Sequence, residues 1–260
     1  MYKLTALFRL RGDTKRDTYL ICKEKMKYLF NRIFRQFIKI SYFTMGEGLS
    51  EDVIAKKSYG IFKCIEQTYD LHIISDSYEF DVRTLFEDLL KESKVVVDVG
   101  ANIGKYSILA SKLNPDAQIF AIEPEKENNI ILTENKNLNH VNNLEIMKLA
   151  LSNKKGWVKL YLCGKNKGGH SMKGDRSSKF ENVNGNTFDN IFFDKVNTID
   201  LVKIDAEGNE FEILEGAKKF LSKKRIINII VEVNNKETGD ILKKYGYNLR
   251  RIQYNNYLAS

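Results

Sequence analysis

Four carboxylates in this chain end or follow apolar runs of the kind that form buried parallel strands. They are Asp98, Glu123, Asp205 and Glu232. In an open α/β sheet the carboxyl ends of parallel strands meet at one edge, and ligands bind in the crevice there. We therefore expect the four side chains to face one crevice. Carboxylates in such a place accept hydrogen bonds from a ligand, or take up a proton during a reaction.

The loop after the first strand reads Asp98-Val-Gly100-Ala-Asn102-Ile-Gly104. Its glycines let the backbone approach a ligand, and the next strand ends at Glu123, whose carboxylate can accept hydrogen bonds from both ribose hydroxyls. A dinucleotide loop has a third glycine and a helix N-terminus that holds pyrophosphate, which Asp98 would repel. Because Asp98 suits an ammonium group instead, the pattern predicts S-adenosyl-L-methionine as the cofactor, rather than NAD or ATP.

A third segment is more specific than the glycine loop. It reads Lys203-Ile-Asp-Ala-Glu-Gly-Asn-Glu210, and together the segments resemble the FkbM family of S-adenosylmethionine-dependent O-methyltransferases. The likeness covers roughly residues 90–235. One departure is Thr187-Phe-Asp-Asn190, where the family tends to have Thr-Leu-Asp-Asp. The other matching segments are Glu123-Pro124, Asn135 with Asn139, Ala150-Leu-Ser152, Leu214-Glu-Gly216 and Val231-Glu-Val233.

The resemblance and the loop together imply a set of cofactor-binding residues. We expect Glu123 to hold the ribose and Asp98 to lie near the methionine ammonium. By resemblance, the segment that includes Ala150, Leu151 and Ser152 should flank the adenine. The full predicted set is Asp98, Gly100, Asn102, Gly104, Glu123, Pro124, Ala150, Leu151 and Ser152.

Methyl transfer to an alcohol also requires that the hydroxyl lose its proton, and three residues are candidates for that step. Asp205 is the first by position, since it ends a strand at the crevice. His170, in Gly168-Gly-His-Ser171, is a candidate from a loop, and Glu232 is the third. Asp205 would equally serve as a helix cap, and His170 as an ordinary solvated histidine. The sequence contains no dense cluster of metal ligands, so we predict no metal site.

Three classes of function are consistent with these residues. The first is O-methylation of a hydroxyl on a sugar, glycolipid or small metabolite. The second is RNA methylation, prompted by the net charge of +8 and weakened by Asp205-Ala-Glu-Gly208, where many amine methyltransferases have Asn/Asp-Pro-Pro-aromatic. The third is a cofactor-binding module without catalysis, against which the intact loop and Glu123 argue.

The order of predicted elements indicates an α/β, Rossmann-like methyltransferase fold. Its doubly wound sheet should be mostly parallel, with strands near 94–99, 118–122, 144–150, 200–204 and 226–233 and an antiparallel C-terminal pair within 247–258. We expect a methyltransferase domain over residues 81–260 and a mainly helical accessory region with short strands over residues 1–80. Residues 62–74 suggest a hairpin that includes His72, and residues 164–186 a mobile loop over the active site.

The accessory region contains a basic amphipathic helix, expected within residues 20–43. Its apolar stripe is Met26, Leu29, Phe30, Ile33, Phe34, Phe37 and Ile38. Such a helix packs against protein or lies on an anionic membrane, and we favour packing against protein. The sequence also leaves open that the protein forms a homo-oligomer.

Composition bears on location. No run of 18 apolar residues is present, and the first residues lack a signal-peptide core. The three cysteines are far apart, as in reduced proteins, so we expect a cytoplasmic protein.

Overall fold

The computed structural model describes residues 11–34, 49–162, 172 and 179–260. The elements in chain order are β1 (Arg11–Gly12), α1 (Lys15–Phe34), β2 (Val53–Lys57), β3 (Gly60–Cys64), α2 (Asp70–Ile73), α3 (Phe80–Leu90), β4 (Val95–Val99), α4 (Lys105–Leu113), β5 (Gln118–Ile122), α5 (Lys126–Leu138), β6 (Leu144–Met147), β7 (Ala150–Leu151), β8 (Gly156–Tyr161), β9 (Phe180–Asn186), α6 (Phe188–Phe192), β10 (Ile199–Ile204), α7 (Glu210–Glu215), α8 (Lys218–Ser222), β11 (Ile226–Glu232), α9 (Lys236–Lys244), β12 (Leu249–Gln253) and β13 (Asn256–Ala259).

A seven-stranded sheet forms the centre of the molecule, in the order β12-β13-β11-β10-β4-β5-β6. The five strands from β11 to β6 are parallel, and β13 and β12 continue the sheet in antiparallel pairing. Strand order reverses between β4 and β10, which is where such sheets open a ligand crevice. The predicted fold class, with its antiparallel C-terminal pair, is confirmed.

The apolar runs of the central strands explain this arrangement. Val96 and Val97 of β4, and Leu201 and Val202 of β10, are fully buried. Successive side chains of a strand point to opposite faces, so strands without polar alternation must be covered on both sides. Two clusters provide the cover: one contains Val96 and Leu201, and the other contains Val97 and Val202.

The accessory region contributes to the first of these clusters. Strands β1, β2 and β3 form an antiparallel sheet, and Val53 and Phe62 are buried in the same cluster as Val96 and Ile119. The predicted domain boundary at residue 80 stays a prediction, because a core shared by the two regions does not locate a boundary between them.

The hairpin predicted at residues 62–74 is wrong in position. The hairpin is β2–β3, and residues 70–73 form the short helix α2, so that His72 is helical. The reason is local polar chemistry: a carboxylate oxygen of Asp70 accepts a hydrogen bond from the backbone N–H of Ile65 at 2.9 Å. The hydroxyl of Thr68 donates to the carbonyl of Ile65 at 2.8 Å. These bonds make a turn in the middle of the expected strand.

Two asparagines, one in α5 and one directly after it, join the accessory sheet to the central domain. Asn139 accepts from the N–H of Ile61 at 2.8 Å and donates to its carbonyl at 2.6 Å. Asn135 accepts from the N–H of Lys63 at 2.7 Å and donates to the carbonyl of Ile103 at 2.8 Å. Both side chains are buried, so the backbone edge of β3 is satisfied by side-chain amides.

Helix α1 begins earlier than expected, at Lys15, and buries residues that the predicted stripe does not include. Leu20, Ile21, Glu24 and Lys25 are buried, whereas Met26 is 63% exposed, so the predicted apolar face is wrong at Met26. The buried residues include two charged ones, which a pattern of apolar residues does not identify. The side chains of the other predicted stripe residues beyond Leu29 lie outside the described part of the chain. Contact of residues 20–43 with a membrane stays a prediction. Within the described ranges, the structure has no helix with the length and apolar character needed to span a bilayer.

Residues predicted as a loop between 164 and 186 include strand β9. It pairs antiparallel with β8 and parallel with β7, in a small separate sheet. Of the strand Phe-Glu-Asn-Val-Asn-Gly-Asn, only Val183 and Gly185 are buried, so its composition resembles that of a loop. The predicted strand 144–150 likewise divides between β6 and β7. Residue His170 lies outside the described residues.

Candidate active site

Two adjoining cavities open at the carboxyl ends of β4 and β10. The first is mainly apolar and includes Ile122, Glu123, Pro124, Ala150, Leu151 and Ile213 in its lining. The second is rich in polar groups and includes Tyr69, His72, Tyr78, Asp98, Lys105 and Lys203. Gly100, Asn102, Asp205 and Glu207 line both.

The glycine loop passes close to the end of β10, between the two cavities. Gly100 has a φ of +78°, and a Cβ built on it would lie 1.9 Å from the backbone oxygen of Asp205. The N–H of Asp205 donates to the carbonyl of Val99 at 3.0 Å. Only glycine fits at position 100, because its φ is positive and because the backbone of Asp205 leaves no room for a Cβ. Gly104, with a φ of +93°, precedes α4 and packs on Leu132; it lines neither cavity.

Glu123 lies in the first cavity beside Pro124. One carboxylate oxygen accepts from the N–H of Asn102 at 2.8 Å, and the other from the N–H of Glu125 at 2.9 Å. Each oxygen keeps a lone pair for a further donor. Burial raises the pKa of Glu123 to about 7, against the opposing effect of these two hydrogen bonds. The geometry fits a pair of ribose hydroxyls.

The predicted adenine segment reaches the first cavity with only two of its three residues. Ala150 and Leu151 line it, and the carbonyl of Leu151 accepts from the side chain of Asn209 at 3.0 Å. Ser152 lines neither cavity. Its N–H donates to the carbonyl of Asn186 at 2.9 Å, and its own backbone oxygen lies against Gly216. Its part in the family motif is therefore explained by close backbone packing.

The second cavity contains a network of buried charges. Asp98 accepts from the hydroxyl of Ser107 at 2.6 Å, and burial raises its pKa although the charge of Lys203 opposes this. Lys203 lies 2.8 Å from a carboxylate oxygen of Asp205 and 4.0 Å from one of Glu79. Burial alone would lower the pKa of Lys203, but the surrounding carboxylates, led by Asp205, raise it above its ordinary value.

The three candidates for proton transfer are placed differently. Asp205 lines both cavities, and its role stays a prediction. Glu232 ends β11 as expected but lines neither cavity; its carboxylate accepts from the side chain of Asn234 at 2.7 Å. Its burial, followed by the charge of Asp205, raises its pKa. The third candidate, His170, is not described. The expected crevice therefore brings together Asp98, Glu123 and Asp205 but not Glu232.

Sequence reasoning missed most of the second cavity. Tyr69, His72 and Tyr78 come from the accessory region and carry no motif. Lys105 offered a signal, because a cation at a helix N-terminus opposes the helix dipole. Burial, together with the charge of Lys105, lowers the pKa of His72 to about 4, which leaves this histidine neutral at pH 7.

Glu207 is a titratable residue that lines both cavities. It has a φ of +49° in the turn between β10 and α7, which begins three residues later at Glu210. Partial loss of solvent, followed by the charge of Asp205, raises the pKa of Glu207 to about 7. Among the described residues, no group of three or more His, Cys, Asp or Glu side chains is arranged to hold a metal ion.

Comparison with known families places this site in a class. The strand order and the glycine loop are those of a Rossmann-like methyltransferase, and the methyltransferase FkbM domain matches residues 98–249. The chain belongs to the FkbM methyltransferase family. This confirms the predicted family and, with it, S-adenosylmethionine as the cofactor.

Individual relatives are distant. The chain is 27% identical over 157 residues to hexuronic acid methyltransferase AglP of Haloferax volcanii, and the match covers 60% of this chain and 62% of that protein. Among solved structures, the Pyrococcus abyssi tRNA (uracil-54, C5)-methyltransferase complex with S-adenosyl-L-homocysteine is 13% identical, with a TM-score of 0.48, over 81% of this chain and 44% of the other.

A second solved structure is precorrin-6y C5,15-methyltransferase of Geobacter metallireducens. It is 16% identical, with a TM-score of 0.42, over 69% of this chain and 85% of the other. Neither structural likeness bears on the substrate of this chain.

Proposed function

We propose that this protein transfers a methyl group from S-adenosylmethionine to a hydroxyl group of a sugar. The observation that carries the proposal is the position of Asp205. Its carboxylate lies where the apolar and the polar cavity adjoin, because it lines both. A group at that junction is within reach of a donor in one cavity and an acceptor in the other.

The first cavity suits the adenosyl part of the cofactor. Its apolar lining, with Ile122, Leu151 and Ile213, matches the faces of an adenine ring. Glu123, at the edge of this lining, has its two oxygens fixed by backbone N–H groups and directed for a pair of hydroxyls. Because the backbone holds the carboxylate in place, little conformational freedom is lost when it binds a ribose.

The second cavity suits a sugar as the acceptor. Tyr69, His72 and Tyr78 are half-buried in its wall, whereas Asp98 and Lys105 are buried. A tyrosine presents an apolar ring and a polar tip, and a sugar likewise combines an apolar face with a rim of hydroxyls. The similarity to a hexuronic acid methyltransferase supports the same substrate class.

Asp205 would act on the acceptor hydroxyl. S-adenosylmethionine supplies an electrophilic methyl group when it is bound. The carboxylate of Asp205 accepts a hydrogen bond from the attacking hydroxyl and orients its oxygen, and Lys203 holds that carboxylate from the other side at 2.8 Å. Orientation of this kind supplies much of the rate in a group transfer. Acceptance of the hydroxyl proton would add roughly 10²–10⁴-fold.

The experiment is transfer of radiolabelled methyl from S-adenosylmethionine into separated glycan, lipid and RNA fractions. The proposal expects label in glycan, resistant to mild base and released with the sugar on hydrolysis. Asp205→Asn protein is the matched control, and should leave the glycan fraction almost unlabelled. Label confined to RNA would contradict the proposal, and label in an ester would move the acceptor from a hydroxyl to a carboxylate.

A further inference from the structure

Lys105 is a buried lysine whose amine has no carboxylate in direct contact. It is 3% exposed, and its amine donates to the backbone carbonyl of Tyr78 at 2.9 Å. The same amine lies 4.8 Å from the ring centre of Tyr78 and 5.1 Å from that of Tyr106. In the described part of the chain, no carboxylate oxygen lies within 4.0 Å of it. A buried charge is costly unless it is paired.

Lys203, in the same cavity, is a buried lysine whose charge is paired with a carboxylate. Its amine is 4.6 Å from the ring centre of Tyr106, so both lysines share that ring. Lys203 has the carboxylate of Asp205 at 2.8 Å, and Lys105 has a neutral carbonyl. The two lysines therefore differ chiefly in whether the protein itself provides an anion.

The surroundings of Lys105 act on its charge from several elements. Burial lowers its pKa to about 7; the charge of Glu79 opposes this, and those of Lys203 and Arg83 add to it. At pH 8 the amine is therefore mostly neutral in the free protein. The titratable and charged groups that face it are His72 of α2, Asp76, Tyr78 and Glu79 before α3, Arg83 of α3, Tyr106 of α4, and Lys203 of β10.

Lys105 also occupies a specific place relative to the glycine loop. It follows Gly104 directly and lines the second cavity together with Gly100 and Asn102. Asp98 and Asp205 line the same cavity and offer negative charge. An amino acid with one ammonium and one carboxylate matches this arrangement: Asp98 is placed to attract the first group, and Lys105 to attract the second.

We propose that Lys105 binds the α-carboxylate of the methionine moiety of S-adenosylmethionine, and that its amine takes up a proton from solvent as the cofactor binds. The proposal rests on the cofactor use assumed in the proposed function. The added proton converts a neutral amine into an ammonium beside the incoming carboxylate, so the buried ion pair forms only in the complex. Cofactor affinity should then fall as pH rises above the point at which free Lys105 loses its proton.

Two ligands that transfer no methyl group isolate the contact. They are S-adenosylhomocysteine and its decarboxylated analogue, which differ only in the carboxylate. By calorimetry at pH 8, Lys105→Met should weaken S-adenosylhomocysteine at least tenfold and leave the decarboxylated analogue unchanged. Lys112→Met, at an exposed lysine of the same helix, is the matched control and should change neither. Equal weakening of both ligands by Lys105→Met would overturn the proposal.

Proton uptake provides a second readout. Titrations in buffers of different ionisation enthalpy should show that the wild type takes up close to one proton more than Lys105→Met at pH 8. The amino group of the ligand titrates equally in both proteins and cancels. Lys105→Arg, which keeps a permanent cation, should retain most of the affinity while its proton uptake falls to that of Lys105→Met. An unchanged proton count in both variants would show that Lys105 does not titrate on binding.

These outcomes separate this proposal from the proposed function. Wild-type protein that binds S-adenosylhomocysteine with the expected proton uptake, yet methylates no hydroxyl, would contradict the function and leave the role of Lys105 standing. Normal methyl transfer, combined with an unchanged ligand affinity in Lys105→Met, would contradict the role of Lys105 and leave the proposed function standing. If that variant keeps its affinity but loses the pH dependence of turnover, Lys105 acts as a base toward the acceptor, and the carboxylate assignment is wrong.

Discussion

The two cavities share the wall made by Gly100, Asn102, Asp205 and Glu207, and they differ in the titratable groups of the rest of their lining. Within the described lining, Glu123 is the one titratable group that belongs to the first cavity alone. The second has eight of its own: Tyr69, His72, Tyr78, Glu79, Asp98, Lys105, Tyr106 and Lys203. The first cavity therefore has one titratable group of its own in a mainly apolar lining, whereas the second has a charged lining. In the proposed function, specificity for the adenosyl group and specificity for the acceptor would be separate properties of one crevice.

Burial has opposite effects on the anchors of the two cavities. It raises the pKa of Glu123 to about 7 and lowers that of Lys105 to about 7. In its proposed role Glu123 accepts hydrogen bonds from hydroxyls best when ionised, so cofactor affinity should fall as pH drops below about 7. In its proposed role Lys105 binds a carboxylate best when protonated, so affinity should also fall as pH rises above about 7. The comparison predicts a bell-shaped dependence of affinity on pH.

The largest effect should come from the wall that the cavities share. Gly100→Ala places a Cβ 1.9 Å from the oxygen of Asp205 at a φ of +78°, so β4 and β10 must separate there. We expect cofactor binding to become undetectable by calorimetry and the free energy of unfolding to fall by about 2–5 kcal/mol.

A second glycine provides the control for this variant. Gly208 also has a positive φ, +96°, but a Cβ there meets nothing within 4 Å. Gly208→Ala should therefore cost only backbone strain, about 1–2 kcal/mol, and keep most of the cofactor affinity. Similar cofactor loss in both variants would show that strain, rather than the contact with Asp205, explains the first result.

The next effect concerns the group at the junction. Asp205→Asn should lower turnover roughly a hundredfold, the low end of a general-base contribution, with cofactor affinity nearly unchanged. Because the substitution also removes the partner of Lys203, the melting temperature should fall by a few degrees. Turnover and binding are measured by methyl transfer and calorimetry on the same preparations. A parallel loss of affinity would place Asp205 on the cofactor side of the junction alone.

A smaller effect is expected in the first cavity. Glu123→Gln removes one charge-assisted acceptor, so cofactor affinity at pH 8 should fall about 10- to 100-fold, which corresponds to roughly 1.5–3 kcal/mol. The fall of affinity on the acid side of the bell should disappear, because the amide does not titrate. Glu125→Gln is the matched control, since that carboxylate caps α5 through the N–H of Asn128 at 2.6 Å and lines neither cavity. Persistence of the acid limb in Glu123→Gln would assign it to another group.

The smallest effect is expected at Glu232, which lines neither cavity. Glu232→Gln replaces no residue that lines either cavity and keeps an acceptor for Asn234, so turnover should change less than about threefold. Methyl-transfer rates across pH 6 to 9 would measure this. A hundredfold loss would return Glu232 to the acceptor site and make the description of the second cavity incomplete.

The cofactor side of the site was more accessible to sequence reasoning than the acceptor side. Strand β5 occupies residues 118–122 as predicted, because a short apolar run followed by Glu123 and Pro124 has few other ways to fold. The position of the Glu232 side chain had no such signal. The strand end was predicted correctly, but the carboxylate accepts a hydrogen bond from Asn234 and lines neither cavity.

The wall made by residues 69–79 could not be predicted from a local pattern. Long-range packing brings it to the crevice from a region without methyltransferase motifs. Lys203 lay within the most specific motif, yet its ion pair with Asp205 depends on burial that only the folded sheet creates. Asn135 and Asn139 were noted as family matches, and their bonds to β3 give the physical reason for their presence.

Those two asparagines also constrain the order in which the molecule can be completed. They lie 72 and 78 residues beyond the backbone groups that they bond. At roughly 5–20 residues per second, a ribosome needs about 4–15 seconds to make the intervening chain, and over that interval the edge of β3 lacks these partners. An open strand edge is a template for association between chains. The accessory sheet therefore emerges first but is finished late, and newly made chains depend on α5 to close an edge that would otherwise pair with a neighbour.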